Sequence, residues 1–230
     1  MECKFWHNDK NKRLLIFFAG WGSDENLFPP PAAVGYDYML CYNFSNQDFD
    51  FSIIEKYEGI VLIAWSLGVW AAEKTFAGAD MEHEVKWERK IAVNGTPSPK
   101  NDIFGIPVNI FDGTLKNFSP AALLKFRKRM CGSVRELELF NANLPARDEK
   151  SLYEELASID NLIGNAPQRF ISDFWDMAIV GEKDYIFPAA NQVKYWQKCN
   201  VECVILENTA HYDSNLFLKL IKGGMLWKNH

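Results

Sequence analysis

The sequence predicts an α/β fold, a mostly parallel central sheet flanked by helices and carrying a helical insertion. Three observations predict it. Short, wholly apolar segments recur along the chain, helix-like segments alternate with them, and one long interval, 97–172, breaks the alternation with helical pattern alone. A strand that is apolar at every position, rather than every second one, is covered on both faces, as in a parallel sheet wrapped by helices.

The elements follow in order. LLIFFAG (14–20) is a continuous apolar run ending in Gly, and YDYMLCYNF (36–44) is a second strand with mixed faces. GIVLIAW (59–65) reads as the most deeply buried strand. After Ser66, LGVWAAEKTF has no Pro and no Gly beyond Gly68, which suits a helix. KIAVNGT (90–96) is a fourth strand closed by the turn residues Asn94 and Gly95. SPAALLKFRKRMCG and ARDEKSLYEELASIDNLIG supply helices to the insertion, which shows no strong strand. DMAIVGEKD (176–184) and VECVILEN (201–208) are strands five and six, with the helical PAANQVKYWQK between them. SNLFLKLIKGGMLW repeats apolar residues at Leu216, Phe217, Leu220 and Ile221, a helix stopped by Gly223-Gly224. Residues 1–96 and 173–230 are therefore expected to form the α/β core, and 97–172 a helical insertion over the strand ends.

Composition bounds the function. At 230 residues the chain suits one large domain, and 48% apolar with 24% charged residues is the balance of a protein with a sizeable core. The formal net charge of −5 gives no global signal for nucleic acid, and no apolar run reaches the roughly 20 residues of a membrane span. The N-terminus, MECKFWHNDKNK, lacks the long apolar core of a secretory signal. Five scattered cysteines (Cys3, Cys41, Cys131, Cys199, Cys203) read as free interior thiols of a cytoplasmic protein. Cys199 and Cys203 are too isolated from other Cys or His for zinc, so neither metal nor organic cofactor is expected, and the protein is expected to be a monomer.

The chemistry gathers at VLIAWSLGVWAA (61–72). In an open α/β sheet ligands bind beyond the carboxyl ends of the strands, where Ser66 would lie. A sharp strand-to-helix turn needs small residues two before and two after the nucleophile. The usual pattern is G-x-S-x-G; here Ala64 and Gly68 keep the required size in A-W-S-L-G. A serine opening a helix can also be a plain N-cap. A nucleophile needs a base and an orienting acid. Of the four histidines, His7 sits in a polar N-terminal turn, His83 in a charged stretch and His230 at the last position. His211 follows the last strand, in the loop that hangs over the nucleophile in such sheets, and the order Ser, acid, His is the expected one. Asp184, at the end of the fifth strand, is the best-placed acid, with a turn cap as its alternative use. Asp173 and Asp176 would lie at the wrong end of the sheet, and Asp213 suits a local main-chain bond. An oxyanion hole would take the N–H groups of Leu67 and of Trp21, which Gly20 and Gly22 flank in FFAGWGSDENLF, although GWG could be a simple turn.

GWGSDENLF, AWSLGVWAA, NGTPSP followed by GIP, GEKDYIFP and the late AH together resemble the BioG-type pimeloyl-acyl carrier protein methyl ester esterases, over essentially the whole chain. The BioH-type esterases are similar too, sharing the GWG and W-S-L-G elements but not the lid. The resemblance implies an α/β-hydrolase core with a helical lid. It implies hydrolysis of the methyl ester masking a pimeloyl chain in biotin synthesis. By matching position, Ser66 is the implied nucleophile, His211 the base and Asp184 the acid. A broader carboxylesterase or thioesterase with the same triad, and a catalytically silent hydrolase-fold binding protein, are the rival expectations.

One feature bears on the partner independently. From Gly113 to Arg135 the chain carries Lys116, Lys125, Arg127, Lys128, Arg129 and Arg135 and no acidic residue, in a protein that is acidic overall. A cationic patch favours an anionic partner. Acyl carrier proteins are strongly acidic, so Lys125, Arg127, Lys128, Arg129 and Arg135 are expected to form the carrier-docking face, with Arg147 extending it. Trp21, Trp65, Leu123, Leu124 and Phe126 are expected to line an apolar acyl channel.

Overall fold

A computed structural model describes residues 1–8, 10–30, 33–77, 85–164 and 173–224. The sequence alternatives His83 and His230, and the MLW end of the last apolar segment, lie outside them.

Seven strands form one sheet in the order β1-β3-β2-β4-β5-β6-β7, and only β1 runs antiparallel to its neighbour. The strands are β1 (Glu2–Trp6), β2 (Arg13–Phe18), β3 (Tyr36–Tyr42), β4 (Gly59–Trp65), β5 (Trp87–Val93), β6 (Met177–Gly181) and β7 (Glu202–Leu206). The centre of the sheet is β2 and β4. Every residue of β4, and every residue of β2 after Arg13, is buried, as uninterrupted apolar runs require. The edge strand β7 is only half-buried.

Helices α1 (Leu67–Phe76) and α6 (Ala189–Lys198) are the crossovers β4–β5 and β6–β7, and α7 (Ser214–Ile221) closes the described chain. Right-handed crossovers advancing in one direction place α1 and α6 on the same face. Among the described residues between β5 and β6 lie four helices: α2 (Val108–Lys116), α3 (Pro120–Cys131), α4 (Val134–Ala142) and α5 (Glu149–Gly164). Helix α3 has clean signals at both ends. Ser119 caps it by accepting from the Ala122 N–H, Pro120 is its first residue, and Gly132 leaves it in the left-handed region at φ +67°.

Three elements differ from expectation. Strand β1 is not among the expected strands: its five residues are exposed or half-buried, and its register on β3, with Phe5 opposite Met39, supplies the pairing. Helices α2 and α4 were not foreseen. Helix α2 contains Gly113, and α2 and α4 are only nine residues each and bury a single residue apiece, Phe111 and Phe140, so each carries a short pattern that is easily passed over. All five cysteines are free, and Cys3, expected in the interior, is exposed on the edge strand with its sulfur 3.4 Å from that of Cys41.

Candidate active site

Strand register brings the candidate residues to one edge of the sheet. Phe18 of β2 pairs with Ala64 of β4, so the Gly20–Trp21–Gly22 loop and Ser66 leave the sheet side by side. Gly181 of β6 pairs with Leu206 of β7, and the loops bearing Asp184 and His211 leave from the same edge. This is the carboxyl end of the parallel strands.

Ser66 sits at φ 59°, ψ −127°, a region that costs a residue with a β-carbon on the order of 1–3 kcal/mol. The turn is tight enough that a β-carbon on Gly68 would stand 2.4 Å from the main-chain oxygens of Phe18 and Ala19. The Ser66 side chain makes no capping bond to α1, so the N-cap alternative does not describe it. Its Oγ lies instead 2.9 Å from His211 Nε2.

His211 Nδ1 is 2.8 Å from Asp184 Oδ2. A carboxylate only accepts, so this contact places the imidazole proton on Nδ1 and leaves Nε2 free to accept from the serine hydroxyl. Asp184 is fixed in turn. Its Oδ1 accepts from the main-chain N–H of Ile186 and Phe187, both at 2.9 Å, and its Oδ2 also accepts from Gln192 Nε2 at 2.9 Å. The ring of Phe187 stacks parallel to the imidazole at 6.2 Å. Ser66, His211 and Asp184 are all buried.

The imidazole is also braced from its main chain. The His211 carbonyl accepts from Trp65 Nε1 and Asn94 Nδ2, each at 2.9 Å. Asn94 Nδ2 donates as well to the Ala210 carbonyl, and Asn94 Oδ1 accepts from the Gly181 N–H at 2.7 Å. One side chain at the end of β5 thereby ties the loops after β6 and β7 together. Sequence reasoning passed over Gln192 and saw Asn94 only as a turn residue. The available signal was a polar side chain at the end of an apolar strand, or on the inner face of a helix, which must find partners when buried.

A largely apolar cavity opens at Ser66. Trp21, Trp65, Leu67, Phe111, Met130 and Ile186 are among its walls, with His211 beside the serine. The Leu67 N–H is the first of α1, which the helix leaves unsatisfied, and the Trp21 main-chain N–H has no partner among the described residues. Among the described residues no group of three or more His, Cys, Asp or Glu could hold a metal ion, and no helix is long and apolar enough to cross a membrane.

The family model for "Pimeloyl-ACP methyl esterase BioG" matches residues 1–220. The chain belongs to the BioG family. It is similar to the crystal structure of BioG from Haemophilus influenzae, at 32% identity and a TM-score of 0.81, covering 96% of this chain and all of that one. It is 42% identical over 207 residues to a Bacteroides fragilis protein named malonyl-[acyl-carrier protein] O-methyltransferase, matching 89% of this chain. The chain spans only 40% of that relative's length. A bromoperoxidase from Bacillus anthracis, 14% identical with a TM-score of 0.58 over 95% of this chain and 89% of its own, shares the α/β-hydrolase fold.

On this BioG framework the expected pocket and docking residues separate. Trp65 reaches the cavity but spends its indole N–H on the His211 loop. Phe126 lines the Ser66 cavity and packs edge-on against Trp21 at 5.1 Å. Leu123 is buried but faces a neighbouring cavity shared with Arg127 and Phe140. Leu124 is 47% exposed and lines neither, because successive helical residues point about 100° apart. Lys125, Lys128 and Arg135 are exposed. Arg129 is exposed as well and lines the Ser66 cavity, which places it at the mouth. Arg127 departs from the expected docking face. It is half-buried over the Phe140 ring at 5.8 Å, where burial pulls its guanidinium pKa down. Arg147 also departs, turning inward to Glu155 and Ser151.

Proposed function

We propose that this BioG-family protein is a serine esterase that removes the methyl ester from pimeloyl-acyl carrier protein, with Ser66 as nucleophile, His211 as general base and Asp184 as the acid orienting the imidazole. The observation that carries the reading is the unbroken line Asp184–His211–Ser66, at 2.8 and 2.9 Å, opening into an apolar cavity.

The chemistry is acyl transfer to water in two steps. His211 Nε2 takes the hydroxyl proton as Ser66 Oγ attacks the ester carbonyl. The Leu67 and Trp21 amides receive the developing oxyanion, each worth about 3 kcal/mol of barrier. The tetrahedral adduct collapses, His211 returns the proton to the leaving oxygen, and methanol departs from an acyl-serine. His211 then deprotonates water, which attacks the acyl carbon; the bond to Ser66 Oγ breaks, His211 returns the proton to Oγ, and the free carboxyl group leaves, still carried by its protein. A methyl ester is uncharged and enters an apolar cavity readily, whereas the carboxylate formed must be desolvated to stay, which favours its release.

Two observations support a carrier-linked substrate. Family membership supplies the esterase description, and the Bacteroides fragilis relative bears a name that places its own substrate on an acyl carrier protein. Exposed Lys125, Lys128 and Arg135, with Arg129 at the cavity mouth, offer a cationic surface to an acidic carrier. The reading is tested by incubating the protein with pimeloyl-carrier methyl ester and following the carrier by mass spectrometry. Loss of one CH₂ per carrier, dependent on Ser66, is expected. An unchanged carrier alongside rapid cleavage of a small chromogenic ester would replace this reading with a general carboxylesterase.

A further inference from the structure

The oxyanion loop is held from outside the sheet. Its residues, Gly20–Trp21–Gly22, follow β2, but their partners lie on α5, the last helix of the insertion. The Glu155 side chain is wholly buried. Its Oε1 accepts from the Phe44 N–H at 3.0 Å, and its Oε2 accepts from the Gly22 N–H at 3.4 Å and from Arg147 Nη1 at 2.5 Å. One turn earlier the Leu152 carbonyl accepts from Trp21 Nε1 at 2.9 Å. The Ala146 N–H, just before α5, donates to Asp24 Oδ2 at 2.6 Å. Gly22 lies at φ +76°, a left-handed geometry suited to glycine.

A buried carboxylate is costly unless paired and hydrogen-bonded. Burial pushes the Glu155 carboxyl pKa up, while Arg147 and the Phe44 and Gly22 amides pull it back. Arg147 is fixed as well, donating to Ser151 Oγ at 2.8 Å and to the Ser151 carbonyl at 3.3 Å. Neither Glu155 nor Arg147 lines the Ser66 cavity, so contact with substrate does not account for the arrangement. What Glu155 touches is the main chain immediately after Trp21.

We propose that Glu155, held by Arg147, is a positioning residue: it fixes the Trp21–Gly22 main chain from the insertion so that the Trp21 N–H is aimed at the oxyanion beside Ser66. This rests on the esterase reading above. Half of the oxyanion hole, Leu67, belongs to the α1 turn; the other half is in place only when α5 is docked.

Replacement by Gln separates the carboxylate's accepting role from its volume. A Gln side chain has one acceptor oxygen, so it cannot serve both the Phe44 and the Gly22 amides, and its NH₂ opposes one of them. With p-nitrophenyl butyrate as substrate, folded E155Q is expected to lose about tenfold or more in kcat, with KM within about twofold. Its affinity for a trifluoromethyl ketone of the same chain length, which adds to serine as a tetrahedral oxyanion, should fall in parallel. Binding of the matching non-fluorinated ketone should not change. A purely structural role would lower Tm and leave kcat and analogue affinity where they were; that result overturns the proposal. Should E155Q not fold, R147K retains a cation beside Glu155 but loses the planar fork. It is expected to lose about threefold in both kcat and analogue affinity, and unchanged values there overturn the proposal equally. A wild-type protein that neither cleaves the ester nor binds the fluorinated ketone would bring down the esterase reading and this inference with it. Wild-type activity with indifferent variants brings down the inference alone.

Discussion

Two buried carboxylates flank the candidate site, and they are supported differently. Asp184 belongs to the sheet. It stands three residues beyond β6 and accepts from two neighbouring amides, from Gln192 on the adjoining helix and from His211. Glu155 belongs to the insertion and accepts from two amides of the core and from a guanidinium of its own segment. Asp184 therefore organises its site from within the fold, while Glu155 organises it across a junction between segments. On the proposed reading, the base side of the site is intrinsic to the sheet, and part of the oxyanion side is lent by the segment between β5 and β6. A third carboxylate sharpens the contrast. Glu73, on α1 directly after the nucleophile turn, is buried with the Trp175 indole N–H as donor at 2.8 Å, and burial drives its pKa from the ordinary 4.5 to about 8.

The largest expected effect tests the base side. Ser66→Ala should abolish turnover of pimeloyl-carrier methyl ester, with a loss on the order of 10⁶ in kcat, while circular dichroism and Tm stay near wild type. Activity within about tenfold of wild type would break the assignment. Asp184→Asn comes next. It preserves volume but permits the wrong imidazole tautomer, and about 10⁴ in kcat should be lost. That loss should exceed the effect of E155Q by orders of magnitude if the sheet-borne carboxylate acts on the base and the insertion-borne one acts only through main-chain aim.

A smaller effect concerns the partner. Joint replacement of the exposed Lys125, Lys128 and Arg135 by Ala should lower kcat/KM for the carrier-linked ester about tenfold and flatten its dependence on salt. Turnover of a small ester by the same variant is the control. Equal losses on both substrates would place these residues in stability rather than docking.

The last prediction concerns Glu73 and stability rather than activity. Its folded pKa of about 8 exceeds its ordinary value of 4.5, so between those values the folded state binds more protons than the unfolded one. Stability from this group is fully present below pH 4.5 and is lost as pH rises toward 8. Glu73→Gln should therefore have its highest Tm relative to wild type near pH 8.5 and lose that advantage by pH 5. A difference that does not change with pH would contradict the assignment.

The fold and the line from Asp184 to Ser66 were legible in the sequence for the same reason. Wholly apolar runs mark strands buried on both faces, and strand order then decides which loops meet. Ser66 and Asp184 each follow such a run, and His211 follows the last, half-buried strand, so topology predicts their neighbourhood, which the observed register of β2 on β4 and β6 on β7 supplies. Glu155 was not legible. It lies on a helix whose sequence, EKSLYEELASIDNLIG, presents it as one acid among several, and the contacts that distinguish it run 111 and 133 residues back along the chain, to Phe44 and Gly22. The same local ambiguity hid the inward turn of Arg147 and the outward turn of Leu124. Charge and hydropathy give the character of a helix, but its rotation is set by what it packs against.

The central claim is that the Ser66 hydroxyl gives its proton to His211 and attacks. It is tested most directly by treating wild type and His211→Ala with a fluorophosphonate and mapping the adduct by mass spectrometry. One adduct, on Ser66, formed rapidly in wild type and at least about 10³ times more slowly in the variant, is the predicted result. A folded wild type with no adduct, an adduct elsewhere, or equal labelling rates in both proteins would contradict it.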